Sequence, residues 1–192
     1  LIETRIVHQN EVTFIDILND NRLVSGDLDG IVKIHTNPIL PDQIENYTNS
    51  FTSSVQVNYD LFVGGFSNGC FKTWNITNHF QEIYNHTECY IQTIYNIDRL
   101  DDTNFITSSL ESQYIKFWNV YTGQCVKQLN LGNGLWSFYA IYLKGNYIAT
   151  IVSDNTIKIY DISNDSLTKL LNGHVNQAKK LEFVRKWSIL LS

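Results

Sequence analysis

Three of the five histidines, His8, His86 and His174, are of the kind that serves as general base or metal ligand. Carboxylates stand at Asp16, Asp27, Asp29, Asp101, Asp102 and Asp154, and thiols at Cys70, Cys89 and Cys125. Paired carboxylates would support acid–base chemistry, a histidine beside a serine would activate a nucleophile, and clustered Cys and His would hold zinc. The spacing supports none of these. There is no G-x-S-x-G elbow, no H-E-x-x-H pair and no C-x-x-C, and the carboxylates are scattered over turns. The glycine-rich run "LFVGGFSNG" lies across a strand and its turn and opens no helix, so it is not a phosphate loop. The sequence predicts no catalytic residue, no cofactor and no metal.

The elements that carry these residues repeat. "RLVSGDLDGIVKIHT", "LFVGGFSNGCFKTWN", "FITSSLESQYIKFWN" and "YIATIVSDNTIKIYD" share one plan: an apolar strand, a small residue, a tight polar turn and an alternating strand. The second strand of each ends at His35, Trp74, Trp118 or Tyr160, at spacings of 39, 44 and 42 residues. The turns "DLDG", "SNG" and "SDN" carry side chains that tolerate positive φ. A further strand precedes each hairpin ("EVTFIDIL", "SSVQVNY", "YIQTIYNI", "SFYAIYL") and a more polar one follows it, as in "CVKQLNL". Four antiparallel strands per unit and a period near 40 predict an all-β repeat architecture, a β-propeller.

Composition narrows the function. The chain has 192 residues, 43% hydrophobic, enough to bury roughly 70% of its unfolded surface. Its net charge of −5 and the lack of any basic run longer than Lys179–Lys180 disfavour direct nucleic-acid binding. No stretch approaches the roughly 18 apolar residues needed to span a bilayer. "LIETRIVHQNE" lacks the apolar core of a signal peptide, and three cysteines at unrelated spacings point to a reducing, intracellular setting, cytoplasm or nucleus. The sequons at Asn46, Asn75, Asn85 and Asn164 fit chance in a chain rich in Asn, Ser and Thr; their occupancy would instead mark a secreted sugar-binding propeller.

These units resemble the WD-repeat family, whose signature is Gly-His, a Ser or Thr on the second strand, a turn Asp, and Trp-Asp. The first unit supplies His8, Ser25, Asp29 and His35-Thr36; the second Gly64, Asn68 and Trp74-Asn75, with Phe51 near the expected histidine. The third supplies His86, Thr107, Glu111 and Trp118-Asn119; the fourth Gly132-Asn133, Thr150, Asp154 and Tyr160-Asp161. His174 opens a fifth unit, with Trp187 expected in its core and Ser192 at the place of Ser25 and Thr150. The resemblance implies that these side chains are buried hydrogen-bonding ties of the blades, and that blades span residues 8–48, 49–84, 85–130, 131–171 and, truncated, 172–192. Four and a half blades of a probable seven are expected, with "LIETRIV" as the strand that completes a last blade and the chain as part of a longer ring.

The resemblance further implies a non-catalytic protein–protein interaction scaffold, a subunit of a multiprotein assembly. A substrate receptor of a ubiquitin ligase and an enzyme with its site in the propeller channel are the alternatives. Partners are expected on the face formed by the inter-blade loops and the turns between second and third strands. Leu28 and Leu110 are apolar where such turns are usually polar, and Trp136 and Phe138 lie in the most aromatic stretch, "GNGLWSFYAIY". These four are the candidate partner-binding residues. Lys179 and Lys180 read as a solvated strand end, and "NIDRLDDTN" as a solvated loop on the opposite face.

Overall fold

The computed structural model describes residues 8–35, 41–46, 48–78, 80–86, 92–184 and 189–192, with only the backbone of 41–46 and 184. Trp187, Thr36, Cys89 and the segment "LIETRIV" lie outside the described residues. Among the described residues every element is a strand.

The first sheet comprises β1 (Val12–Ile17), β2 (Leu23–Asp27), β3 (Ile31–His35) and β4 (Pro41–Asn46). The second comprises β5 (Phe51–Gln56), β6 (Leu61–Phe66), β7 (Phe71–Asn75) and β8 (Gln81–His86). The third holds β9 (Ile94–Arg99), β10 (Asn104–Ser109), β11 (Tyr114–Asn119) and β12 (Cys125–Asn130). The fourth holds β13 (Ser137–Tyr142), β14 (Tyr147–Val152), β15 (Ile157–Asp161) and β16 (Ser166–Leu171). A fifth has β17 (Glu182–Val184) and β18 (Ile189–Leu191). Each sheet is an antiparallel meander in chain order, and each first strand packs beside the first strand of the next sheet. The chain is a partial β-propeller, and the sheets are its blades.

Two irregularities recur and set side-chain direction. The first strand slips register near its start, at Val12/Phe14, Phe51/Ser53 and Ser137/Tyr139. The third and fourth strands slip at the last aromatic-type position, at Ile34/His35, Thr73/Trp74, Phe117/Trp118 and Ile159/Tyr160. A bulge re-aims a side chain. Here it coincides with Trp74, Trp118 and Tyr160, each of which packs into the cluster shared with the preceding blade.

The core lies between blades. One cluster joins blades one and two around Val24, Phe51, Phe62 and Trp74; a second joins two and three around Phe71, Phe105 and Trp118. The third gathers Ile106, Phe117, Ile148 and Tyr160, and the fourth Ile141, Ile151 and Leu181. Glycine is required where these seams are tightest. A Cβ on Gly64 would stand 2.3 Å from the Phe51 ring and one on Gly26 2.5 Å from it, both closer than real contacts allow.

Candidate functional site

The loops before the first strands and the turns between second and third strands meet at one end of the blades, the upper rim. Backbone bonds fix it. Leu28 N–H donates to Glu11 O at 3.0 Å, Ser67 to Ser50 at 2.9 Å and Ser153 to Trp136 at 3.0 Å, each across 17 residues. In the third blade, which carries an extra turn residue, the Ser109 hydroxyl reaches Gln92 O at 2.9 Å. Positive φ at Gly30, Gly69, Glu111 and Asn155 closes the four turns.

A second set of bonds stitches neighbouring blades. Ser50 Oγ donates to Leu28 O and Thr93 Oγ1 to Ser67 O, both at 2.8 Å. Two residues further on, Thr13 Oγ1 donates to Phe51 O and Thr52 Oγ1 to Ile94 O, both at 2.6 Å. Carried to the seam between blades three and four, this register places Trp136 where Ser50 and Thr93 stand, and Tyr95 and Phe138 where Thr13 and Thr52 stand. No serine or threonine stands at these positions. Tyr95 and Phe138 meet edge to face with centroids 6.4 Å apart, and Leu110 O receives only a 3.3 Å bond from adjacent Ser109. Trp136 Nε1 is buried with no hydrogen-bond partner. A buried donor left unpaired costs about 1–3 kcal/mol. Deeper in this seam the stitch resumes, with Asn96 Nδ2 on Ala140 O and Tyr142 N–H on Asp98, both at 2.7 Å.

The expected partner residues all fall on or beside this rim. Leu28 is 43% exposed, Leu110 and Trp136 are partly buried, and Phe138 also packs against the fourth cluster. Tyr95, 44% exposed, escaped the sequence reading. The signal was present, because Tyr95 aligns with Thr13, Thr52 and Phe138 once the blades are in register.

The expected ties divide. In blade one, His8 Nδ1 donates to Asp27 at 2.7 Å, and Ser25 Oγ lies 2.6 Å from His8 Nε2 and 2.8 Å from His35 Nε2. One proton arrangement satisfies every atom: His35 Nε2–H donates to Ser25, and the Ser25 hydroxyl donates to His8 Nε2. Burial, His8 and Lys33 together hold the His35 pKa below its ordinary 6.5. Asp27, His8 and Ser25 have the connectivity of a charge relay, yet Ser25 is buried in a strand, its hydrogen engaged by His8 and its oxygen accepting from His35. Asp29, read from sequence as the turn tie, is exposed and accepts from Asn10 Nδ2 at 3.0 Å; Asp27 holds the buried place. Asp27 also accepts the Asp29 and Ile31 N–H groups, which draws the carboxylate inward.

In blade three Trp118 Nε1 donates to Thr107 Oγ1 at 2.8 Å. His86 ends β8, two residues past the boundary read after residue 84, with its ring 5.1 Å from Trp118 and 4.9 Å from Phe71. Trp74 is fully buried and stacks on Phe80 at 5.4 Å; Gly64 takes the place that Ser25 and Thr107 hold elsewhere. Thr150 pairs with Ser137 at 2.6 Å, and Tyr160 is buried, its phenol pKa raised by burial and by Asp154. Asp154 is exposed, closes its own turn on Thr156 and pairs with Lys158 at 2.9 Å; Asp161 caps Ser163 at 2.9 Å. Those bonds lower both carboxyl pKa values, at Asp154 against the opposing effect of burial. His174 is exposed and meets Ser192 Oγ at 2.7 Å. Among the described residues no three His, Cys, Asp or Glu side chains cluster as a metal site, and no helix is long and apolar enough to cross a membrane.

Residues 1–36 match the family model of the WD domain, G-beta repeat. Myosin heavy chain kinase C of Dictyostelium discoideum is 28% identical over 80 residues, 42% of this chain and 10% of that protein. The WD40 β-propeller domain of Doa1 superposes with a TM-score of 0.79 at 18% identity, covering 96% of this chain and 61% of that one. The computationally designed Ika8 protein gives 0.76 at 25% identity over 92% of this chain and 54% of its own. The chain thus spans a tenth of that curated relative and little more than half of each solved propeller. Its fold is that of the WD40 β-propellers, and its first 36 residues carry the match to the WD-repeat model. Such domains generally act as protein-interaction scaffolds, and the fold is typically non-catalytic.

Proposed function

We propose that this chain is a non-catalytic scaffold in a multiprotein assembly and that its upper rim, at Leu28, Leu110, Trp136 and Phe138, receives a protein partner. On this reading the buried hydroxyl, imidazole and indole groups tie each blade so that the rim is rigid before a partner arrives. The observation that supports it most is Leu28. Its N–H is bonded to Glu11 and its carbonyl to Ser50, while the side chain stands 43% exposed. An apolar group held out on an immobilised backbone loses little entropy on binding, which favours recognition. The acidic turn tips Asp29, Glu111 and Asp154 oppose a polyanion at this rim.

A photo-crosslinking residue placed at Leu28 or Leu110, with Tyr59 at the opposite end (74% exposed) as control, tests the assignment in the cell of origin. Adducts to one defined protein from the rim positions, and not from Tyr59, support it. Adducts from Tyr59 alone, or none from the rim, reject it.

A further inference from the structure

The seam between blades three and four differs from its neighbours at the rim, and the difference has a chemical sense. At the two earlier seams a hydroxyl from Ser50 or Thr93 closes the junction on a turn carbonyl, and a threonine closes it again two residues later. At the third seam both positions are aromatic. Trp136 brings an N–H that finds no acceptor, and Tyr95 and Phe138 present nearly perpendicular rings, 80° apart. Tyr95 remains 44% exposed, so this ring pair is open to an incoming group.

Resting on the reading of the rim as a partner face, we propose that this seam is the seat of an arginine-bearing extended segment of the partner protein. Three features select that chemistry. Aromatic rings attract a guanidinium, which is flat and weakly hydrated and stacks on them. Glu111 stands on the turn of the same seam and accepts from Gln92 Nε2 at a long 3.4 Å, which leaves the exposed carboxylate able to take a guanidinium fork. Trp136 Nε1, buried beneath this surface, senses a segment seated over it. Asp154, across the seam on blade four, adds negative potential even while it pairs with Lys158. An acidic or phosphorylated segment would meet like charge here, and a wholly apolar one would leave Glu111 desolvated.

The Trp136 indole N–H provides the readout. The chain has four tryptophans, and loss of one indole cross-peak in Trp136→Phe assigns its resonance in a 15N spectrum. The probes are the capped tetrapeptides acetyl-Ala-Arg-Leu-Ala-amide and acetyl-Ala-Glu-Leu-Ala-amide. The arginine peptide should move the Trp136 cross-peak saturably with a Kd on the order of 1 mM, more weakly at high salt, while the Trp74 and Trp118 peaks stay in place. The glutamate peptide should move none of them. Glu111→Gln should weaken the arginine peptide by about threefold or more at unchanged Tm, and Tyr95→Ala should do the same through the ring pair. A stationary Trp136 peak at saturating arginine peptide, or equal movement with both peptides, overturns the inference. If the peak is stationary while crosslinks from Leu28 still map a partner, the arginine seat falls and the scaffold reading stands; if both fail, both fall.

Discussion

His174 meets Ser192 through Nε2 at 2.7 Å, the same atom pair that joins His8 to Ser25 at 2.6 Å in the first unit. The two pairs differ in burial: His8 and Ser25 are buried, His174 and Ser192 exposed. Ser25→Ala strips a buried donor from His8 and an acceptor from His35, and should lower stability by about 1–3 kcal/mol. Ser192→Ala should change it by no more than about 0.5 kcal/mol. Urea denaturation of the two variants checks the contrast, and equal losses would contradict it.

Acid should weaken the first blade before the others. The folded pKa of His35 is held below its unfolded value of 6.5, so the folded state favours the neutral ring. The stability this provides is present above pH 6.5 and declines as pH falls through 6.5 toward the folded pKa. His35→Trp keeps a donor for Ser25 but cannot ionise. Melting curves between pH 5 and 7.5 should therefore show a Tm slope for the parent chain that is shallower in this variant.

Gly64→Ala should cost about 1–3 kcal/mol, because its Cβ would stand 2.3 Å from Phe51 and that ring is locked between Phe14 and Phe66, each 5.5 Å away. Adding Phe51→Leu should recover part of the loss by freeing the space. Thermal unfolding of the single and double variants measures the coupling.

Two tryptophans should respond oppositely to the same change. Trp118→Phe removes a donor that Thr107 uses and should lose about 1 kcal/mol or more. Trp136→Phe removes a buried donor that nothing uses and should be neutral or slightly stabilising. Chemical denaturation midpoints decide it, and a loss of several degrees in Tm for Trp136→Phe would make the indole a packing residue.

The blades were legible because two signals coincide: alternation in "IVKIHT" and "TIKIYD", and a large ring at the end of each third strand. The tie residues were legible as types and less so as positions. In "DLDG" two aspartates lie two residues apart, and only the inward pull of the Asp29 and Ile31 N–H groups on Asp27 decides between them. Sequence places His86 in the third unit because β8 runs exposed, with no alternation to mark its end. The missing acceptor for Trp136 was invisible in sequence, since it is a property of three strands brought together.

The four hydrophobic clusters remain separate, each shared by two adjoining blades. Cooperativity in such an array is a nearest-neighbour quantity, transmitted from blade to blade through single interfaces. Loss of one interface should accordingly loosen the two blades it joins before it reaches any other. A partner seated across the third seam would span that one interface and hold two adjoining blades against separation.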